Sequence, residues 1–133
     1  MPSHEAWLKE QILYSATKID LLIAENDPSE LTSLKEFFLD VGYGVRTATS
    51  GFQALAEINA SVPDVLLCDL NLPGMSGFDL LAVVSRRFPS VRLVAMSGVF
   101  SGPGMTYGVT AHWVHQRGTG TAALLPAVAS PRQ

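Results

Sequence analysis

Residues 64–68 read Asp-Val-Leu-Leu-Cys and run straight into Asp69. Four consecutive apolar side chains on an extended backbone point to both faces of a sheet, so both faces must be covered. A central strand of a parallel sheet, packed between helices, meets that condition. The same reading fits Ile-Asp-Leu-Leu-Ile-Ala at 19–24 and the apolar stretch at 91–96. Residues 43–48 form a further strand with β-branched content, and 111–114 a fifth.

Helix signals fill the intervals. Asp27-Pro28-Ser29-Glu30 supplies a capping side chain, a proline suited to the first helical position and an acid that can close a capping box. Leu31, Leu34, Phe37, Phe38 and Val41 follow at helical spacing, and Gly42 is a natural stop. Ser50-Gly51-Phe52-Gln53 is a second capping box, opening a helix through Ala54, Leu55 and Ile58. Residues 76–88 form a third helix and 121–129 a last one, before Pro131. Phe37, Phe38, Leu55, Leu80 and Leu81 are expected in the core, with Cys68 as a small apolar residue of its strand. Strands alternating with helices predict an open parallel sheet with right-handed crossovers.

At 133 residues and 47% hydrophobic content, the chain holds material for one packed core. Its net charge of −3 disfavours a nucleic-acid wrapper, so no direct nucleic-acid partner is expected. One cysteine excludes an intramolecular disulfide framework and a cysteine-based zinc cluster. No apolar run approaches the roughly 20 residues of a membrane span, and residues 1–18 are too charged for a signal peptide. The expectation is a cytoplasmic protein without membrane contact: an N-terminal extension at 1–18, one domain at 19–129 and a tail at 130–133. Trp7, Leu8, Gln11 and Ile12 fall near one face of a helix in that extension. Such a helix either packs on the domain or makes a dimer or partner contact through Trp7.

Open α/β sheets gather functional groups at the carboxyl ends of their strands. Glu25-Asn26-Asp27, Asp69, Ser97 and His115 each stand at such an end. Two carboxylates, a hydroxyl and a carbonyl-rich turn at 70–77 thus meet on one edge. A Mg²⁺ ion takes oxygen ligands, and can sit between Glu25, Asp69 and the backbone carbonyl of Asn71. Asp69 can then attack a phosphoryl group, with Ser97 donating a hydrogen bond to it.

These residues carry a family resemblance. Leu-Leu-Ile-Ala-Glu-Asn-Asp-Pro at 21–28, Asp-Val-Leu-Leu-Cys-Asp-Leu-Asn-Leu-Pro-Gly-Met-Ser-Gly-Phe-Asp-Leu-Leu at 64–81 and Leu-Val-Ala-Met-Ser-Gly at 93–98 resemble the receiver domain of two-component response regulators. The resemblance covers roughly 19–129. It implies a flavodoxin-like (βα)5 fold, a doubly wound parallel sheet of five strands in the order 2-1-3-4-5. It implies that Asp69 is the phosphoacceptor, fed by a histidine kinase or phosphotransfer protein, that Ser97 fills the switch position, and that a downstream protein reads the result. Catalysis would be limited to self-phosphorylation and self-dephosphorylation.

Three departures qualify it. The family usually has two acids where this chain has Glu25-Asn26, and an amide ligand brings no charge, so Mg²⁺ affinity should be weak. The family's Lys-Pro at the end of the fifth strand aligns with His115-Gln116, replacing a permanent cation by a conditional one. The stretch Gly98-Val99-Phe100-Ser101-Gly102-Pro103-Gly104 is poor helix material, so the fourth helix should be degenerate. A pseudo-receiver, binding partners or a second copy without phosphate, is the alternative. A flavin binder on the same fold is disfavoured, because an acidic loop after the first strand repels a cofactor phosphate.

Overall fold

The computed structural model of the chain describes residues 3–7, 19–98, 102–103 and 109–129. The elements run β1 (Asp20–Ala24), α1 (Pro28–Val41), β2 (Gly44–Ala48), α2 (Gly51–Ala60), β3 (Val65–Asp69), α3 (Gly77–Arg87), β4 (Arg92–Ser97), β5 (Gly102–Pro103), β6 (Trp113–Gln116), a 3₁₀ turn (Thr121–Leu124) and α4 (Leu125–Ala129). Strand order is β2-β1-β3-β4-β6-β5. The first five of these are parallel, in the expected 2-1-3-4-5 arrangement with β6 as the fifth strand. The two-residue β5 adds an antiparallel rim on β6, a feature too short to leave any period in the sequence.

Alternate residues of each strand feed two cores. Leu22, Ala24, Leu66 and Cys68 pack with Ala54, Ile58, Leu80 and Leu81 of α2 and α3. Leu21, Ile23, Val65 and Leu67 pack on the other face with Leu34 and Phe38 of α1 and Ala127 and Val128 of α4. Unbroken apolarity in β1 and β3 is therefore a requirement of this two-sided packing. Phe37 and Leu55, expected in the core, sit half-buried at its margins.

The helix starts follow local chemistry. Asp27 caps α1, its Oδ1 accepting from the backbone N–H of Ser29 (2.9 Å) and Glu30 (3.4 Å). Glu30 does not close that box; it reaches instead toward the carboxyl edge of the sheet. Ser50 caps α2, while Gln53 Oε1 reaches back to the Thr49 N–H at 2.7 Å. Gly42, at φ 106°, takes the left-handed turn that ends α1. Asp27→Ala is expected to cost about 1 kcal/mol, read as a lower urea midpoint at unchanged slope.

At the amino ends of the strands, charge is consumed by structure. Arg46 binds Asp20 (3.0 Å) and the carbonyl oxygens of Glu57 (3.1 Å) and Ser61 (2.8 Å). Asp64 Oδ2 accepts from the Asp20 N–H at 2.7 Å. Of the N-terminal extension, residues 4–7 form a helical turn on which Trp7 is 48% exposed. The remainder of that extension, and most of the stretch expected to be the degenerate fourth helix, lie outside the described residues.

Candidate functional site

Glu25 leaves β1 with its N–H bonded to the Ala48 carbonyl at 3.0 Å, and its side chain is 1% exposed. Its Oε1 accepts from the Asp27 N–H at 3.1 Å. Asp69 ends β3 at 6% exposure, with Oδ1 accepting from the Asn71 N–H at 3.0 Å. Beyond it the loop is tied down by Leu70 N–H to Met96 O (3.1 Å) and Gly77 N–H to Leu70 O (3.1 Å). Gly77 must lack a side chain: a Cβ there would stand 2.2 Å from the Asp69 carbonyl oxygen. Ser97 ends β4, one residue past Met96, the register partner of Asp69.

The group that joins the two acids is Arg117. One of its terminal nitrogens lies 2.5 Å from Glu25 Oε2 and 2.9 Å from Asp69 Oδ2, and the other lies 3.7 Å from Glu30 Oε1. Its backbone N–H donates to the Ser97 carbonyl at 2.7 Å, which fixes where the side chain starts. Burial works against the guanidinium's charge, but its hydrogen bonds to Asp69 and Glu25 outweigh this and hold its pKa above the usual value. Burial raises the Glu25 pKa, opposed by its bonds from Arg117 and Asp27 and reinforced by the charge of Asp69.

Glu25, Asn26, Asp27, Asp69, Asn71 and Arg117 line a single open cleft of about 240 Å³. His115 is elsewhere. It is 7% exposed and lines a neighbouring cavity of about 280 Å³ with Glu30, Leu34 and Met96. Burial lowers its pKa, with Glu30 opposing and Arg117 adding. The last parallel strand runs at Trp113–Gln116, two residues beyond the 111–114 expected, and the cation that reaches the acids comes just after it. Sequence reasoning does not reach Arg117; the signal it offers is an arginine ahead of two closely spaced glycines, Gly118 and Gly120, that mark a turn. Cys68 is inert, since burial drives its thiol pKa up and the charges of Asp69 and Glu25 add to that.

The donor set is a poor match to a divalent cation. Two carboxylate oxygens already share a guanidinium nitrogen, and the third position carries the amide of Asn26. Among the described residues, no group of three or more His, Cys, Asp or Glu side chains is placed to hold a metal ion.

Comparison with known proteins gives this arrangement its class. The family model of the response regulator receiver domain matches residues 21–107. The chain belongs to that family. It is 33% identical over 84 residues to the transcriptional regulatory protein ZraR of Salmonella typhimurium, covering 63% of this chain and 19% of that protein. It is 38% identical over 71 residues to the sensor protein EvgS of Escherichia coli, covering 53% of this chain and 6% of that one. The chain thus spans a fifth or less of the length of these relatives. Among solved structures, the chemotaxis response regulator CheY4 of Vibrio cholerae superposes with a TM-score of 0.73 at 21% identity, covering 84% of this chain and 96% of that one. A CheY-like receiver domain protein from Methanospirillum hungatei gives 0.74 at 22%, covering 84% and 90%. Likeness at these identities speaks to the fold. Receiver domains are generally non-enzymatic signalling modules, and generally bind Mg²⁺ at their acidic site. No described helix is long and apolar enough to cross a membrane.

Proposed function

We propose that the domain at 19–129 is a phosphoacceptor receiver in which Asp69 takes a phosphoryl group from the phosphohistidine of a kinase or phosphotransfer protein. A carboxylate oxygen of Asp69 attacks phosphorus, the P–N bond breaks, and the imidazole leaves with its electron pair and gains a proton from solvent. The product is an acyl phosphate on Asp69. The observation that carries this reading is the placement of Asp69: a carboxylate at the end of the central strand, opening into a cleft, with a permanent cation 2.9 Å away. Arg117 would face the charge that develops on the incoming oxygens, and Ser97 stands at the end of the adjoining strand as the hydroxyl that would bond to them. His115, expected at the family's usual Lys position, lines the neighbouring cavity beside Arg117, and in this reading Arg117 supplies the cation that faces the acids. The Mg²⁺ ligand set of Glu25, Asn26, Asp69 and the Asn71 carbonyl gains little support from the donors as they stand, and no step depends on it. Output goes to a downstream protein in the cytoplasm, with Trp7 a candidate contact for that partner or a second copy.

The test is intact-mass analysis after incubation with a small-molecule phosphodonor, alongside Asp69→Asn. A single phosphoryl adduct on the wild type, absent from the variant, is expected. No wild-type adduct, or one that survives the substitution, overturns the proposal. The second reading, a phosphate-independent interaction module, draws on the same Arg117 bridge and on Asn26, which together leave Asp69 already partnered. It predicts that missing adduct.

A further inference from the structure

We infer that Arg117 is a tethered cation standing in the place of a divalent metal, so that part of the cleft's negative charge is neutralised from within and Mg²⁺ must displace the guanidinium to bind. The inference rests on reading the cleft as the receiver's acidic site. One nitrogen spans Glu25 Oε2 and Asp69 Oδ2 at 2.5 and 2.9 Å, which puts positive charge between the two oxygens that a shared cation would need. Of the cleft's other side chains, Asn26 and Asn71 are uncharged amides, and Asp27 keeps its charge but has Oδ1 held by the capping N–H groups of α1. A hard divalent ion responds to ligand charge, and here one unit is already cancelled.

The tether is built into the backbone. Arg117 N–H is held by the Ser97 carbonyl at 2.7 Å, and Gly118 (φ 87°) and Gly120 (φ 94°) turn the chain away directly afterwards. The guanidinium also has a second station. Glu30 Oε1 lies 3.7 Å from its other terminal nitrogen, and Arg117 lines both the acidic cleft and the neighbouring cavity where Glu30 stands. A side chain 30% exposed, with a carboxylate on each side, can leave Glu25 and Asp69 without losing every partner. Arg117 thus sets how readily the cleft accepts a metal.

The experiment is thermal melting of the full chain with Mg²⁺ as the only added ligand, against KCl of equal ionic strength, for the wild type and Arg117→Gln. Ligand that binds only the folded state raises the melting temperature. The wild type is expected to show no Mg²⁺-specific rise up to about 10 mM, and Arg117→Gln to melt lower without metal and recover with it. The fitted Mg²⁺ affinity of the variant should exceed that of the wild type by about tenfold or more. Arg117→Lys, a single-point cation with a looser hold, serves if the glutamine variant does not fold, and should bind Mg²⁺ severalfold more tightly than wild type. A wild type that responds as strongly as the variants overturns the inference, as does a lack of Mg²⁺ response in all of them. Melting needs no phosphodonor, so this can fail while Asp69 is phosphorylated, or hold while it is not.

Discussion

Arg117→Ala is expected to lower stability by about 2–4 kcal/mol at neutral pH, and by much less in acid. Removing one partner of a buried ion pair typically costs about 3–5 kcal/mol, because the remaining charge is stranded. Glu25 is the stranded group, at 1% exposure, and the lower bound allows for the solvent that reaches Arg117. Burial already raises the Glu25 pKa in the folded chain, and Arg117 is the leading influence that lowers it. Without the guanidinium the folded pKa rises further above its value in the unfolded chain. The folded state then binds more protons than the unfolded state across that window, so stability falls as pH rises through it. The loss is complete above the folded pKa and vanishes below the unfolded one, where both states carry a protonated acid. Urea denaturation at about pH 5 and about pH 8 reads this directly, with the larger deficit at the higher pH. Equal deficits at the two values would show that packing, and not the isolated charge, accounts for the loss.

Gly77→Ala should be at least as damaging. The added methyl would lie 2.2 Å from the Asp69 carbonyl oxygen and 2.6 Å from Leu70 Cα, and both are backbone atoms that cannot rotate away. Relief requires α3 to move off the end of β3, dragging Leu80 and Leu81 out of the core. A penalty of at least about 3 kcal/mol follows, at the upper end for overpacked sites. Gly44→Ala is the internal control. Its methyl would meet only the Ile19 carbonyl oxygen at 3.7 Å, an ordinary contact. Circular dichroism melts of the two variants should therefore separate widely, and similar melts would refute the close approach at Gly77.

The unequal legibility of the site has a physical basis. Strands β1 and β3 end abruptly, because an apolar run buried on both faces meets a charged residue, and the Glu25 and Asp69 positions could be read to the residue. The helix starts were equally plain, since Asp27, Ser50 and Ser76 each cap through their own side chain. The last parallel strand offers no such contrast. Trp113-Val114-His115-Gln116 is short, mixed in polarity and only half-buried at its ends, so its limit could slip by two residues without offending any pattern. With the strand ending at Gln116, the residue that follows it is Arg117 and not His115. Glu30 was legible as a helix-start acid, but its preference for Arg117 over the capping box depends on the distant return of the chain after β6.

The outermost ribbon of the sheet has a bearing on how the folded molecule meets its neighbours. Gly102 and Pro103 lie along β6 opposite Val114 and Trp113. Proline has no amide hydrogen, and a rim only two residues long presents very few groups to a visiting strand. Among the described residues, this border therefore offers a visiting strand few backbone groups to pair with, which works against edge-to-edge aggregation there.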